Sequence, residues 1–313
     1  MIKKIKILII LLFGITSAYS QFDLSLLDLY NNPVIHNPAY VGVSESYYLK
    51  TTYSTQWVGF EGAPKTQTFD IQYHFDDERH AFGVSMINDE FGATKNTNIE
   101  ANYAFHLNFN YDTKMALGLK VGLNNFQINY NLLNIWQPEE YVYQASNLTR
   151  NLPLVGIGFY VYQNNWFLAF SAPNLIRKNI EERSVFRDYL RKRPHTYVNF
   201  GYNFKLNNKF VLKTHVLSQL VSGAPVGILI NTNIEFDEKF MFGLHIDPSS
   251  LIGASTSIEI LNNVRFSYAY NFSLNELASY SNGNHNFGIS FDLEKRFWSN
   301  RRYFLNPKPY KIR

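Results

Sequence analysis

The residues best suited to bind a metal ion lie together in one short stretch. His74, Asp76, Asp77, Glu78 and His80 supply imidazole and carboxylate groups, which are common metal ligands. Their spacing does not match H-E-x-x-H or a comparable metal-binding pattern. The stretch is either a cation site or a solvated turn between two strands, and the pattern favours the turn. The sequence therefore predicts no metal and no cofactor.

Catalysis would need serine, histidine and carboxylate side chains brought together by a recognisable motif. The sequence contains no G-x-S-x-G elbow, no phosphate-binding P-loop and no dinucleotide fingerprint. It also has no cysteine, which excludes disulfides and cysteine-based zinc sites. We predict that the protein is not an enzyme.

Two polar or aromatic segments are candidates for partner binding. In residues 56–64, Trp57 and Phe60 lie among glycines and a proline that favour chain reversal. Loop aromatics can anchor a partner, although an interfacial belt or packing within the loop would explain them equally well. Gln56, Trp57 and Phe60 are therefore candidate binding residues.

The second candidate is a basic cluster in residues 174–194. Its cations could contact lipopolysaccharide phosphates or a secreted partner, and a weak helical apolar stripe is also consistent with a solvated loop helix. Arg187 and Arg191 are candidate partner-binding residues. The cluster consists of Arg177, Lys178, Arg183, Arg187, Arg191, Lys192 and Arg193.

Residues 1–20 have the organisation of a secretory signal peptide. Three lysines precede an apolar run at residues 7–13, and a small-residue end leads to Ser20 and Gln21. This run is shorter than the roughly 20 residues of a membrane-spanning helix, so we predict cleavage after Ser20. Removing the three lysines changes the formal net charge from +4 to +4 − 3 = +1. A nearly neutral mature chain is not expected to bind nucleic acid.

Beyond residue 46 the apolar pattern has a period of two. Ile99, Ala101 and Tyr103, for example, alternate with Glu100 and Asn102, which predicts strands with one apolar and one polar face. Composition alone fits a secreted β-sandwich or a membrane barrel, in which lipid meets only every second residue. We predict 14 strands, approximately at 46–55, 65–75, 80–89, 96–109, 113–129, 152–163, 165–171, 195–207, 208–218, 224–236, 239–247, 250–260, 262–272 and 284–293.

The connections between these strands alternate between tight turns and longer links, which distinguishes the two folds. The longer links are predicted at 56–64, 90–95, 130–151, 172–194, 219–223 and 273–283, with a short exception at Pro248. Up-and-down barrels have short periplasmic turns and longer outer loops, and an even strand number closes the sheet without a free edge. We therefore predict an all-β fold, a transmembrane antiparallel up-and-down β-barrel of about 14 strands in the outer membrane.

A barrel also assigns the polar faces of the strands to the lumen. Arginine or lysine facing lipid near the midplane would cost roughly 2–4 kcal/mol each. The residues predicted to face the lumen are Glu100, His106, Lys120, Asn203, Lys205, Lys213, His215, Glu235, Glu259 and Arg265.

The predicted domain organisation has four parts. Residues 1–20 are the signal peptide, 21–45 a periplasmic or plug segment, 46–293 the barrel, and 294–313 a basic tail. The tail is either flexible in the periplasm or a docking segment for a periplasmic partner. Residues 37–42 are either a turn that folds the amino-terminal segment into the barrel or a direct partner contact, so Asn37, Pro38 and Tyr40 are candidate binding residues.

The sequence resembles the type IX secretion system membrane proteins of the PorP/SprF family, found in the Bacteroidota. The resemblance rests on residues 37–42 and 56–68 read together, and it extends in order to about Leu293. The basic tail departs from the family pattern. Weaker matches lie at Asn88-Asp89 with Gly92, and at residues 172–175, 223–225 and 280–285.

The resemblance implies an outer-membrane component of the secretion or gliding machinery. Its expected partners are a secreted surface protein with a type IX sorting domain, such as an adhesin, and a periplasmic peptidoglycan-binding lipoprotein, besides outer-membrane lipid. The polar lumen faces support a second hypothesis, a passive or substrate-specific pore.

Overall fold

The fold is a closed antiparallel barrel of 14 strands in which each strand pairs with its sequence neighbours and β1 pairs with β14. The computed structural model describes residues 25–44, 47–75, 79–110, 112–132, 147–176, 194–261, 263–274 and 281–292. The predicted barrel is confirmed. Predictions for residues 1–24 and for the tail from 293 onward lie outside the described residues.

The strands follow the period-two pattern closely. They are β1 Tyr48–Thr55, β2 Lys65–His74, β3 His80–Phe91, β4 Thr94–Asn108, β5 Lys114–Ile128, β6 Leu148–Tyr162, β7 Trp166–Ala172, β8 His195–Lys205, β9 Phe210–Val221, β10 Gly227–Phe236, β11 Phe240–Asp247, β12 Leu251–Leu261, β13 Val264–Ser273 and β14 Asn284–Asp292.

Two predicted links differ from the structure. The link predicted at 219–223 lies at 222–226, because β9 continues to Val221 and β10 begins at Gly227, and the link predicted at 90–95 is wrong. Residues 90–95 do not form a longer loop, because β3 and β4 pair as far as Phe91 and Thr94 and only Gly92 and Ala93 connect them. Gly92 has a φ of +55°, a conformation that glycine adopts without steric cost. β6 also begins earlier than predicted, at Leu148, since it pairs with β5 along its whole length.

The connections lie on two rims. The short-turn rim carries the connections at 75–79, 109–113, 163–165, 206–209, 237–239 and 262–263. The long-loop rim carries the others, among them residues 56–64 and the two links that leave β5 and β7. By the rule for bacterial barrels, the short-turn rim faces the periplasm and the long-loop rim faces the outside.

Side chains alternate between lumen and lipid along each strand. On β4 the lipid-facing apolar run extends from Ile99 to Leu107, whereas Glu100, Asn102 and His106 between them are buried. Nine strand residues extend roughly 27 Å, or about 20 Å of height at the tilt typical of barrels. This height is close to the apolar band of about 25 Å that such barrels present to lipid. No helix among the described residues is long and apolar enough to span a membrane.

Most of the predicted lumen-facing residues are buried. Glu259 and Arg265 are partly buried and form an ion pair of 3.3 Å. Lys205 is exposed, because it is the last residue of β8 and lies at the short-turn rim. The buried ones are Glu100, His106, Lys120, Asn203, Lys213, His215 and Glu235.

The interior of the barrel contains a folded piece of the chain, residues 25–44, which we call the lumen segment. It comprises two short helices, α1 (Leu26–Asn31) and α2 (Pro33–His36), and a 3₁₀ turn at Pro38–Tyr40. Its apolar side chains are buried together with lumen-facing residues of the strands. The hydrophobic core of the molecule therefore lies inside the barrel.

Candidate functional site: lumen segment and long-loop rim

The lumen segment is shaped by local capping signals. Ser25 begins α1, since its Oγ accepts a hydrogen bond from the Asp28 amide at 3.1 Å and donates to the Asp28 carboxylate at 2.6 Å. Pro33 lies in the first turn of α2, where its missing N–H costs no hydrogen bond. Asn37 caps the next turn by accepting from the Ala39 amide at 2.9 Å. Small caps and prolines thus divide the segment into compact turns.

Hydrogen bonds join the segment to strands on several sides of the barrel. On one side Asn286 of β14 donates to Asp28 at 2.8 Å, and elsewhere Asn233 of β10 donates to the Tyr30 hydroxyl at 3.0 Å. His106 of β4 is 2.8 Å from the Val41 carbonyl oxygen. A segment this short can contact strands so far apart in the barrel only from within the lumen.

The segment runs from the long-loop rim to the short-turn rim. Leu26 packs near Gly227, the first residue of β10 at the long-loop rim. Gly42 packs against Ala81, His74 and His106, which lie near the short-turn rim. The chain then enters β1 at that rim.

Glycines in the strands make room for the segment. A Cβ added at Gly118 would overlap the backbone at Pro38 and Ala39, and one added at Gly158 would overlap the Asn37 side chain. Gly118 and Gly158 pair across β5 and β6. These two glycines therefore form a cradle on which the turn at residues 37–39 lies.

A buried ion pair also holds the segment. Lys120 of β5 donates to Glu100 of β4 and to the Ile35 carbonyl oxygen of the segment, and both charged side chains are almost completely buried. Removing one member of such a pair leaves an uncompensated charge, which costs about 3–5 kcal/mol. A second buried pair, Lys213 with Glu235 at 2.8 Å, lies on β9 and β10.

Tyr40 anchors the end of the segment in an aromatic cluster. Its ring centroid is 4.4 Å from that of Tyr160 and 6.3 Å from that of Phe167. Asn199 donates to the Tyr40 hydroxyl at 3.3 Å. Such ring pairs contribute about 0.5–1.5 kcal/mol beyond their burial.

Burial shifts the pKa values of four titratable groups in the segment: it raises those of Asp28, Tyr30 and Tyr40 and lowers that of His36. Burial raises the pKa of Asp28 above its usual value, although hydrogen bonds from Ser25, Ser54 and Asn286 oppose the shift. Burial and the nearby Lys120 cation lower the pKa of His36 to about 3. Burial thus disfavours the charged form of both Asp28 and His36.

Three predicted binding residues lie in this segment. Asn37 is 1% exposed and Tyr40 is 2% exposed, and Pro38 is also buried. They contact the strands of their own chain, so a contact with another protein would require the segment to move. Partner binding by these residues stays a prediction.

The other predicted loop, residues 56–64, is an ordered part of the long-loop rim. The Val58 amide donates to Gly283 at 3.0 Å, and the Val58 carbonyl oxygen accepts from Asn282 at 2.8 Å. Trp57 is partly buried against Phe91, with ring centroids 6.2 Å apart, so packing within the rim explains it.

The tip of this loop is exposed to solvent, whereas its base is closed by a backbone hydrogen bond. Phe60 is 40% exposed. The Gln56 amide donates to the Pro64 carbonyl oxygen at 3.0 Å and closes the loop. Of the three loop residues singled out by sequence, Phe60 is exposed, whereas Gln56 and Trp57 are partly buried.

Arg187 and Arg191, and residues 76–78 of the possible cation site, lie outside the described residues. Within the described part of the chain, no group of three or more histidine and carboxylate side chains could hold a metal. The sequence reasoning missed Asp28 and the glycine cradle as contacts of the segment. The available signal was the pair of lumen-facing glycines at positions 118 and 158.

The chain is similar to several solved structures at low sequence identity. A FadL homologue of Pseudomonas aeruginosa has 11% identity and a TM-score of 0.45, and the match covers 82% of this chain and 93% of that one. Omp33 of Acinetobacter baumannii has 10% identity and a TM-score of 0.47, with 80% and 99% covered. A search of curated proteins gave no match.

A family model for the type IX secretion system membrane protein PorP/SprF matches residues 18–291. This range includes the lumen segment and nearly the whole barrel. The match, the closed barrel and its lipid-facing apolar band place the protein in the outer membrane as a component of type IX secretion. The chain belongs to the PorP/SprF family of type IX secretion system membrane proteins.

Proposed function

We propose that this outer-membrane component binds an exported surface protein at its long-loop rim and anchors it there, while its own barrel stays closed. In this role the protein is a scaffold without catalytic activity. The proposed partner is a secreted protein with a type IX sorting domain, such as an adhesin. A periplasmic lipoprotein at the short-turn rim remains a further predicted partner.

The occupied lumen is the observation that carries this proposal. A passive pore needs a continuous water path, whereas the lumen segment crosses the interior and is bonded to strands on several sides. Lys120, Asn286 and His106 each donate to it or lie within hydrogen-bond distance of it. A small cavity lies between α2 and strands β1 and β2 and is lined by Lys50 and Asp70. It is a local space at one side of the segment and is not a continuous water path. This arrangement supports a scaffold.

The long-loop rim supplies a surface suited to a partner. The loop at residues 56–64 is braced by backbone hydrogen bonds to residues 282 and 283, so little conformational entropy is lost when a partner binds it. Phe60 projects from this braced loop and is 40% exposed. Aromatic side chains in such positions often carry much of the binding energy of an interface.

The test is affinity purification of the tagged protein from outer membranes in mild detergent, followed by mass spectrometry. We expect one large exported protein with the wild-type chain. Because truncating a central aromatic anchor costs about 2 kcal/mol or more, Phe60→Ala is expected to retain roughly 30-fold less of it.

Phe109→Ala is the matched control. Phe109 is 72% exposed, but it lies in a turn of the short-turn rim, so its removal is expected to leave retention unchanged. Equal retention of the exported protein by the two variants would show that Phe60 does not contribute to the interface. Recovery of the wild-type barrel without an exported protein would contradict the anchor role itself.

The second candidate function is a passive or substrate-specific pore. The observation in its favour is the polar lumen face, which includes buried Glu235 and Lys213. Planar bilayer recordings distinguish the two functions. The wild-type scaffold is expected to be nearly silent, whereas regular single-channel conductance by the wild-type chain would support the pore.

A further inference from the structure

Part of the barrel wall rises beyond the apolar band at the long-loop rim. On β4, β5 and β6 the last apolar lipid-side row is Ile99, Leu123 and Pro153, which lie in register. The next two rows on the same side are polar. They consist of Thr97, Asn125 and Asn151, followed by Lys95, Gln127 and Thr149. The tops of these strands therefore stand in water.

On the β7 side, the top of β6 extends beyond the strand pairing seen among the described residues. It pairs with β7 only as far as Ile157, opposite Ala172. Beyond β7 the Leu175 amide donates to the Val155 carbonyl oxygen at 2.7 Å. Among the described residues, no strand continues this pairing along residues 148–154 of β6. The same residues remain fully paired with β5 on their other side.

The backbone groups on that side follow from strand geometry. Successive residues direct their N–H and C=O groups to alternate sides of a strand, so the groups of Pro153, Asn151 and Thr149 point the same way as those of Val155. Pro153 has no N–H, and the Arg150 guanidinium donates to the Thr149 carbonyl oxygen at 3.0 Å. The Asn151 N–H and C=O groups are thus the centre of the available edge.

The two faces of this edge differ in chemistry. On the water side Asn125 donates to Asn151 at 2.6 Å and Gln127 donates to Asn125 at 2.6 Å, which gives an uncharged amide surface. On the inner side Leu148 packs with Phe126 and Tyr130, and Leu152 lies against them. This small core keeps the top of the β5–β6 hairpin folded.

We propose that the edge of β6 at residues 149–153 accepts an extended segment of the exported protein as an added strand. Exposed strand edges bind peptides in this way, through main-chain hydrogen bonds. The inference rests on the proposed anchor function, because that function brings an exported chain to this rim. The fitting segment has apolar residues on the side that meets Leu148 and Leu152, and uncharged polar residues on the side of Asn151.

Natural strand edges are commonly protected against pairing with another chain by lysine, proline or a covering element. The described residues of this edge include few charged side chains. Pro153 lies at the level of the last apolar row, where a missing N–H avoids an unpaired donor in the membrane. Thr149 and Asn151, higher up, are uncharged. Above Pro153, the Arg150 guanidinium covers the Thr149 carbonyl oxygen, so an added strand would use the groups of Asn151 between these two protected positions.

The test compares Asn151→Pro with Asn151→Ala, using the exported protein that co-purifies with the wild-type chain as the probe. Proline removes the edge N–H and places a ring on that side, whereas alanine removes only the side chain. Pro153 shows that this strand tolerates proline. We expect Asn151→Pro to retain about tenfold less exported protein and Asn151→Ala to retain nearly the wild-type amount.

Both variants must show the wild-type mobility difference between unheated and heated samples in gels, which reports a closed barrel. Equal retention by two folded variants would overturn the strand addition. Absence of the exported protein from the wild-type sample would instead indicate failure of the anchor function.

A second measurement identifies what covers the edge. The chain has no cysteine, so Thr149→Cys carries a single thiol that can be loaded with a short photo-crosslinker. Crosslinks to one contiguous segment of the exported protein are expected. Crosslinks to residues 177–193 of the same chain, in cells that produce the exported protein, would show that the chain covers its own edge and would overturn the proposal.

Discussion

Replacing Gly118 with alanine is expected to loosen the lumen segment. The added Cβ would overlap backbone atoms of Pro38 and Ala39, and a backbone cannot rotate away as a side chain can. Overpacking of this kind costs about 1–3 kcal/mol. Since each 1.4 kcal/mol corresponds to a factor of ten, the undocked fraction of the segment should rise about 5- to 150-fold.

Gly83→Ala is the matched control, because Gly83 also faces the lumen segment. Its added Cβ would lie 3.3 Å from two Val41 methyl carbons and 3.2 Å from the Ile71 carbonyl oxygen. Shifts of a few tenths of an ångström relieve these contacts. The expected cost is below about 1 kcal/mol, which corresponds to less than about a fivefold change.

The assay is thiol labelling of a single cysteine in the segment. Val34 is 2% exposed and is not among the nearest neighbours of a Cβ added at either glycine, so Val34→Cys in this cysteine-free chain reports undocking without background. Labelling should be about 5- to 150-fold faster when Gly118→Ala is added, because the rate follows the undocked fraction. An unchanged rate, or an equal increase with Gly83→Ala, would refute the cradle argument.

Two further predictions concern titratable groups in and around the lumen segment. The His36 pKa is lowered to about 3 on docking, so docking is strongest above pH 6.5 and weakens as pH falls. Between pH 7 and pH 5 the His36 imidazole takes up a proton in the undocked segment, where its pKa is about 6.5, but not in the docked segment. Acidification over this range should therefore raise the undocked fraction, and with it channel opening in planar bilayers, about 25-fold. The raised pKa of Asp28 acts oppositely, because its stabilisation is complete below pH 3.8 and is lost as pH rises through the docked pKa. Asp28→Asn should therefore steepen the acid response, and His36→Phe should abolish or reverse it; unchanged profiles would contradict both assignments. In urea unfolding, Glu100→Gln should destabilise the barrel by about 3–5 kcal/mol, because Lys120 stays buried without its counter-ion. The double variant Glu100→Leu with Lys120→Met should lose only about 1–3 kcal/mol, from the unpaired Ile35 carbonyl oxygen, and an equal loss in both would contradict the pairing.

The barrel could be predicted from sequence because lipid imposes a strict alternation on each strand. The register of β4 and β5, for example, brings Ile99 opposite Leu123 and Glu100 opposite Gly122, as the period-two pattern requires. Connections were harder to predict, because polar residues occur both in loops and in strands that extend into water. Residues 94–97 continue β4 beyond the apolar row, and this explains why a loop was expected at 90–95.

The path of the lumen segment could not be predicted in detail. Its contacts depend on strands that are far apart in sequence, such as β10 and β14, and no local pattern specifies which of them Tyr30 or Asp28 meets. The end of β7 at Ala172 was predicted to within one residue, but its consequence for β6 was not. An unpaired edge becomes visible only when the lengths of neighbouring strands are compared in register.

The position of the lumen segment also constrains how the molecule assembles. The segment continues directly into β1, and β1 closes the barrel against β14, so that Thr55 lies opposite His285. Contacts this distant in sequence form slowly. The lumen segment must therefore enter the interior before or while β1 pairs with β14. If the barrel closed first, a folded segment with bulky side chains such as Tyr40 would have to pass through its opening. We therefore expect the barrel to close around the lumen segment during assembly, with the segment already in place when the last strand pair forms.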